Sequence, residues 1–219
     1  YKYSALQSSF SVNNIALALE QNDNPLVTGY IEKISYEETL GVIRELLPEA
    51  RELNILVDST SSGSGDFETI ERINERVIDF TFNYLFLDEM EFEEMFLRTS
   101  QLDRNRPLLL VSGFKDRSGR IISFHELTSG LVEHSAAPVF HLWRHGVGDG
   151  LVGGKVVDQH YYAELSAGLV LSFIRGADVK VHRISDDTRN RYLFDYLKLK
   201  EFQNSLKNLP VNNILLNRL

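Results

Sequence analysis

Apolar, strand-like runs alternate with helix-like segments from about Pro25 to Ile174, and this alternation constrains the fold more than any other feature of the sequence. Strands separated by crossover helices lie parallel in one sheet, because each helix returns the chain to the edge where the previous strand began. The sequence therefore predicts an α/β fold with a parallel sheet, either as one unit or as two lobes joined by short crossovers. The predicted strands are Leu26–Tyr30, Leu53–Val57, Phe80–Leu87, Pro107–Val111, Pro138–Leu142 and Arg191–Asp195.

Capping residues mark the starts of several predicted helices. Ser35 with Glu38 and Ser123 with Glu126 each have the spacing of a capping box, in which a hydroxyl and a carboxylate accept from the first amides of the helix. Asp88 with Glu91 offers a further cap. The predicted helices run from Ser35 to about Pro48, from about Asp66 to Ile78, over Glu89–Leu102, from Ser123 to about His134, from Gln159 to Arg175, and over Tyr196–Leu206.

Composition excludes several classes of protein. Hydrophobic residues make up 43% of the 219 residues, which is ordinary for a globular fold. The net charge is −8 and the basic residues do not cluster, so we do not expect a nucleic-acid partner. The absence of cysteine excludes disulfides, thiolate nucleophiles and cysteine metal ligands. The longest mainly apolar run, Ala163–Ile174, is shorter than the roughly 20 residues that cross a bilayer.

The sequence lacks a recognisable catalytic motif. Gly-x-Ser-x-Gly is absent, and no Lys-Ser or Lys-Thr pair follows Gly65 as a Walker loop requires. His141 and His145 have the spacing of a helical zinc pair, but they lie at the end of a predicted strand, where we expect that spacing not to converge. We therefore expect neither catalysis nor a metal or cofactor.

Ligands of open α/β sheets bind outside the carboxyl ends of the strands, where loops and helix N-termini meet. The first candidate loop is Ser59–Gly65, in which Ser59, Ser61 and Ser62 supply hydroxyl groups for an anion or a carboxylate. The alternative is that this loop is only a solvated connection.

Two further loops follow predicted strands. Phe114 is placed to stack on a ligand, with Asp116 as a charged neighbour, although the charged residues here also suit a solvated turn. Trp143, the single tryptophan, is followed by Arg144, whose guanidinium binds carboxylates bidentately. The alternative for this pair is a tryptophan packed at the edge of the core and an arginine in solvent.

Several motifs in a fixed order carry a family resemblance. They are Val27–Gly29, Asn54–Asp58, Leu109–Phe114, Pro138–Phe140 before Trp143, Gly150–Asp158, and Tyr192–Tyr196 before Leu199. With them, the stretch Thr28–Leu219 resembles the substrate-binding proteins of an ABC-transporter family with the type I periplasmic-binding-protein fold. It is most similar to the version that serves as the extracytoplasmic sensor domain of bacterial histidine kinases and diguanylate cyclases.

The resemblance implies two α/β lobes joined by three crossovers, with the ligand between them and a hinge that closes on it. On this template residues 1–30 are a remnant of the first lobe, 31–142 form the second lobe, and 143–219 form the return crossover and a C-terminal segment. The first lobe is then incomplete, because such a lobe normally begins with about a hundred residues of α/β units.

The closing stretch Leu209–Asn217 resembles the segment that precedes a transmembrane helix in the sensor proteins. We therefore expect a periplasmic, membrane-tethered sensor module that signals on binding a small molecule, such as an amino acid or another small carboxylate. The resemblance leaves a homodimer open. The alternatives are the substrate-binding component of an ABC transporter and, less in keeping with the motifs, a cytoplasmic α/β enzyme or receiver-like domain.

Overall fold

The computed structural model describes residues 28–76, 80–178, 184–185, 189–202 and 206–218. Its strands are β1 (Glu52–Val57), β2 (Thr81–Phe86), β3 (Leu108–Leu110), β4 (Val139–His141), β5 (Gly153–Val156), β6 (Arg191–Asp195) and β7 (Ile214–Leu216). Its α-helices are α1 (Tyr36–Leu46), α2 (Ser61–Asn74), α3 (Phe92–Ser100), α4 (Phe124–His134), α5 (Gln159–Ile174) and α6 (Tyr196–Glu201), and a 3₁₀ turn spans Leu206–Asn208.

The strands form one seven-stranded sheet in the order β2-β1-β3-β4-β5-β6-β7. All neighbouring pairs are parallel except β5 with β6. This confirms the predicted α/β class and its mainly parallel sheet. The strand order reverses between β1 and β3, so the helices after these strands lie on opposite faces and leave a crevice at their carboxyl ends.

Apolar side chains of the central strands fill both faces of the sheet. In β1, Ile55 and Val57 belong to the core cluster that α1 covers, whereas Leu56 belongs to the cluster on the face of α3 and α4. All three side chains are buried, as expected for a parallel strand covered by helices on both sides. The two clusters hold the ends of β1, β3 and β4 in fixed positions.

The two predicted capping boxes have different outcomes. At α4 the Ser123 hydroxyl accepts from the Glu126 amide at 3.2 Å and the Glu126 carboxylate accepts from the Ser123 amide at 2.7 Å, which confirms the prediction. At α1 the prediction is wrong, because the Ser35 side chain makes no cap hydrogen bond. Its hydroxyl instead accepts from the side chain of Asn190 at 3.0 Å.

Other helix boundaries differ from the prediction for local reasons. Helix α3 is shorter than expected, and Glu91 makes no side-chain cap; a carboxylate oxygen of Asp116 accepts from the Phe92 amide at its start instead. Helix α6 ends at Glu201, whereas the sequence predicted a helix to Leu206. Of the predicted first strand, Tyr30 forms a parallel bridge with Ser185, and residues 26–27 lie outside the described residues.

Helix α5 differs from the other helices in its surroundings. It is rich in apolar residues, yet none of its residues is buried. Val170 is 55% exposed and Ile174 is 76% exposed. No described helix is both long enough and apolar enough to cross a membrane. Strands β5 to β7 belong to the same sheet as β1 to β4, and the division of the chain into lobes stays a prediction.

Candidate ligand-binding site

A pocket of about 110 Å³ opens at the carboxyl ends of β3 and β4, beside the N-terminal turns of α2. We call it the strand-end pocket. Its volume suits a fragment of a small organic ligand or a few ordered waters. The lining residues are Ser62, Asp66, Leu110, Val111, Ser112, Gly113, Phe114, Phe124, Leu127, His141, Trp143 and His145.

Asp58 holds together the loops that border the strand-end pocket. Its buried carboxylate accepts from the Phe114 amide at 2.7 Å and from the Thr60 amide at 3.1 Å, and its own amide donates to the Ser112 hydroxyl at 3.1 Å. The end of β1 is thereby tied to the loop after β3. The Asp58 carboxylate therefore positions the loop after β3, and the receiver-like alternative stays a prediction.

Helix α2 begins earlier than predicted, which changes the first candidate loop. The sequence predicted a loop over Ser59–Gly65, but the helix starts at Ser61, because Thr60 caps it by accepting from the Gly63 amide at 3.2 Å. A Cβ atom on Gly63 would lie 2.3 Å from the Asp58 carbonyl oxygen. The early start and the close approach of α2 bring Asp66 to the pocket.

Asp66 supplies the carboxylate of the pocket. The Tyr36 hydroxyl donates to its Oδ1 at 2.5 Å. Burial raises the pKa of Asp66 to about 6, the Tyr36 hydrogen bond opposes this rise, and the negative charges of Asp58 and Glu32 add to it. Burial and the same carboxylate raise the pKa of Tyr36, which stays protonated. A buried carboxylate with a raised pKa gains from a cationic partner.

Aromatic rings surround the opposite side of the pocket. Trp143 is partly buried, and its indole N–H donates to Glu32 at 3.2 Å. Phe124, the first residue of α4, contacts the His145 ring edge to face with centroids 4.3 Å apart. Phe114 is 39% exposed at the mouth. These rings offer an apolar surface and π faces to a ligand.

The two histidines converge, contrary to expectation. Nε2 of His141 lies 3.2 Å from Nε2 of His145, because β4 ends at His141 and the chain then turns back past the ring. Nδ1 of His141 donates to the Leu110 carbonyl at 2.7 Å, so its Nε2 is the acceptor. Burial lowers the pKa of His141 to about 3, so its ring is neutral at physiological pH. Desolvation also lowers the pKa of His145, although its ring reaches the surface.

Of the predicted site residues, three line the strand-end pocket and four do not. Ser62, Phe114 and Trp143 line the strand-end pocket, while Ser59 and Ser61 are exposed beside it and do not line it.

Asp116 and Arg144 have partners outside the pocket. The buried Asp116 carboxylate accepts from the Phe92 amide at 3.4 Å and the Arg120 amide at 3.0 Å, so it joins the loop after β3 to the start of α3. Arg144 donates to the buried carboxylate of Asp158 at 3.2 Å. Both residues position loops near the pocket, and a direct role in ligand binding stays a prediction for each.

Sequence reasoning missed several lining residues, each for an identifiable reason. Asp66 was overlooked because α2 was expected to begin there rather than at Ser61, and Phe124 because the adjacent capping box marked it only as the start of a helix. The spacing of His141 and His145 was expected not to converge at a strand end, but the turn that follows β4 brings the two rings together. The strand-end rule, applied to all polar residues after β4 rather than to Trp143 and Arg144 alone, would have included both histidines among the site candidates.

No protein-family model matches the chain, and no curated protein matches it. Solved structures do match. One is the ligand-free, open structure of a substrate-binding protein with adhesive properties from Clostridium difficile, with 13% identity and a TM-score of 0.62 over 87% of this chain and 62% of that one. Another is an ABC domain in complex with L-Trp from Streptococcus pneumoniae, with 16% identity and a TM-score of 0.60 over 86% of this chain and 63% of that one.

A third structure, a conserved domain protein from Vibrio cholerae, is 12% identical with a TM-score of 0.59, over 91% of this chain and 67% of that one. At such identities the likeness shows the fold alone, and it confirms the predicted α/β architecture with a mainly parallel sheet. The chain spans 62% and 63% of the length of the first two structures. Their ligands and activities are properties of those proteins.

Proposed function

We propose that this chain is the extracytoplasmic ligand-binding module of a bacterial membrane receptor, with a small organic molecule bound at the strand-end pocket. The observation that supports the proposal most is the position of the pocket. It lies outside the carboxyl ends of β3 and β4, beside the point at which the strand order reverses. Open α/β sheets bind their ligands in this crevice.

The lining of the pocket favours a ligand with a cationic amine on an apolar body. Asp66 supplies a carboxylate, and Phe124 and Trp143 supply aromatic faces, both of which attract an ammonium group. Among the described residues that line the pocket, there is no lysine or arginine to balance a lone carboxylate ligand. An amino acid fits if its carboxylate is met by the hydroxyls of Ser62 and Ser112.

Helix α5 supports the expectation that the protein has two lobes. The helix carries an exposed apolar surface that includes Val170, Leu171 and Ile174. Exposed apolar surface of this kind is typical of a contact with another body. In the two-lobed arrangement that the sequence resemblance implies, the other lobe would cover α5, and ligand would bind between the lobes and close them.

A panel of compounds tests ligand binding directly. The melting temperature of the chain is measured with amino acids, amines, small carboxylates, nucleosides and sugars. A ligand that prefers the folded state must raise the melting temperature. We expect compounds with an amine to do so and simple carboxylates to have no effect. If no compound in the panel shifts the melting temperature, the proposed function is wrong.

Variants of Trp143 and Asp66 test whether the ligand binds at the strand-end pocket. We expect Trp143→Ala to abolish the shift and Trp143→Phe to retain part of it, because phenylalanine keeps an aromatic face. Asp66→Asn should weaken amine binding by tenfold or more, while Glu68→Gln, on an exposed part of the same helix, should leave it unchanged. Equal shifts in all four variants would place the ligand elsewhere.

The alternative function is the substrate-binding component of an ABC transporter, which the substrate-binding protein and the ABC domain among the similar structures favour. The codons after Leu219 in the gene distinguish the two functions. A run of about 20 apolar residues there would indicate a membrane-tethered receptor. A stop codon would indicate a transporter component.

A further inference from the structure

Two imidazole rings in the lining of the strand-end pocket present their Nε2 atoms to each other. The Nε2 atoms of His141 and His145 are 3.2 Å apart, and both residues line the pocket. His141 is 2% exposed, whereas His145 is exposed, so the pair reaches from the interior to the solvent. This pair belongs to neither the carboxylate nor the aromatic part of the proposed amine site.

The separation of the two nitrogens matches that of two ligands on one metal ion. Zinc binds imidazole nitrogen at about 2.0–2.1 Å, and two such nitrogens at a tetrahedral angle lie about 3.3 Å apart. The observed separation of 3.2 Å is close to this value, and binding requires the rings to turn so that both lone pairs meet at the ion beside the N···N line. In the ion's absence the same distance is bridged by an N–H···N hydrogen bond.

The surroundings hold His141 in the tautomer that a metal ligand needs. Its Nδ1 donates to the Leu110 carbonyl at 2.7 Å, so the lone pair of Nε2 points toward His145. A backbone carbonyl, like a carboxylate or a water molecule, is a common partner for the second ring nitrogen of a metal-bound histidine. Phe124 packs against both imidazoles and so restricts their rotation, with ring centroids 5.3 Å from His141 and 4.3 Å from His145.

We propose that His141 and His145 bind one divalent transition-metal ion through their Nε2 atoms. His145 then adopts the tautomer with its proton on Nδ1, and both rings stay neutral. No group of three or more histidine, cysteine, aspartate or glutamate residues that would hold a metal occurs in the part of the chain that the structure describes. The ion therefore keeps open positions for water or for a ligand in the pocket. Cu²⁺ binds more tightly than Ni²⁺ or Zn²⁺.

The single tryptophan provides a specific assay, because the ring of Trp143 lies 5.3 Å from that of His141 and 6.4 Å from that of His145. The chain is titrated with CuCl₂ while tryptophan emission is recorded. We expect saturable quenching at one Cu²⁺ per chain, since a bound paramagnetic ion lies close to the indole. ZnCl₂ does not quench, and because it binds more weakly it should displace Cu²⁺ and restore the emission only in large excess.

His145→Ala is the main variant, because His145 is exposed and its loss leaves the core intact. We expect it to weaken Cu²⁺ binding by tenfold or more. His160→Ala, also at an exposed histidine, is the matched control and should bind as the wild type does. His141→Gln gives a second test of the pair, with its folding checked by circular dichroism.

Several results would overturn the metal site. Quenching without saturation would mean collisional contact with free Cu²⁺. Equal affinity in wild type and His145→Ala, or equal weakening in His145→Ala and His160→Ala, would place the ion elsewhere. Absence of quenching in the wild type would leave the pair as a hydrogen bond between two imidazoles. Because the probe is the metal alone, each result is independent of whether an amine ligand is found.

Discussion

The hydroxyl of Tyr36, at the start of α1, donates a 2.5 Å hydrogen bond to Oδ1 of Asp66 in α2. The bond joins two helices through residues that are 30 positions apart along the chain, and it holds the carboxylate of the strand-end pocket in place. A carboxylate positioned in this way can bind a cationic ligand without moving. Because it is buried, its negative charge lowers the stability of the ligand-free protein.

Asp66→Asn should therefore stabilise the ligand-free chain at neutral pH. Below the ordinary pKa of 3.8 the carboxyl group is protonated in both the folded and the unfolded chain, so its ionisation does not affect the free energy of unfolding. Between pH 3.8 and about 6 the folded chain holds the extra proton, and the free energy of unfolding falls as the pH rises. Above that interval the ionised carboxylate lowers the free energy of unfolding by its full amount, about 1–3 kcal/mol.

Urea denaturation at pH 4 and pH 8 measures this effect. The stability gained by Asp66→Asn should be present at pH 8 and should shrink toward pH 4. Glu68→Gln, on the exposed side of the same helix, should show no such difference. A variant less stable than wild type at pH 8 would mean that Asp66 stabilises the empty pocket.

Gly63→Ala should destabilise the fold, because the new Cβ would lie 2.3 Å from the Asp58 carbonyl oxygen and 2.5 Å from the Ser112 hydroxyl oxygen. Helix α2 must then shift, at about 1–3 kcal/mol. Gly65→Ala is the matched control in the same helix: nothing lies within 4 Å of its Cβ, so it should stabilise by up to about 1 kcal/mol. Urea denaturation of both variants checks the sign, and similar effects would contradict the close approach of α2.

Arg144→Met should lower stability without changing ligand affinity. Arg144 donates to the buried carboxylate of Asp158, which Arg191 also approaches at 3.7 Å. Loss of this charged hydrogen bond should cost about 1–3 kcal/mol. Calorimetric titration with any amine that raises the melting temperature gives the affinity. A tenfold loss would restore the sequence-based hypothesis that Arg144 contacts the ligand.

Ser123→Ala should cost about 0.5–2 kcal/mol, because it removes the side-chain cap of α4. The next residue, Phe124, lines the pocket, so looser packing there should also weaken ligand binding slightly. Ser129→Ala, at an exposed position of the same helix, should leave stability within about 0.5 kcal/mol of wild type. Equal stability of the two variants in urea would show that the cap contributes nothing.

The sequence predicted most of the sheet, because its signal is local. Apolar runs such as Leu53–Val57 and Pro107–Val111 differ sharply from the polar segments between them, and they became β1 and β3. Helix starts were less predictable, because caps came from distant residues: the amide of Phe92 finds its acceptor in Asp116, 24 positions away.

The candidate site was predicted in part for the same reason. Phe114 and Trp143 follow buried strands and line the pocket as the strand-end rule expects. Asp66 and the pair of His141 with His145 depend on where α2 begins and on how the chain turns after β4. Those are tertiary features that no spacing along the sequence contains.

The indole N–H of Trp143 tests most directly whether ligand binds at the strand-end pocket, which is the central claim. The chain has one tryptophan, so its ¹H–¹⁵N spectrum contains a single indole signal. We predict that an amine that raises the melting temperature shifts this signal together with the amides of Gly113 and Phe114. If that amine binds while all three signals stay in place, the strand-end pocket is not the binding site.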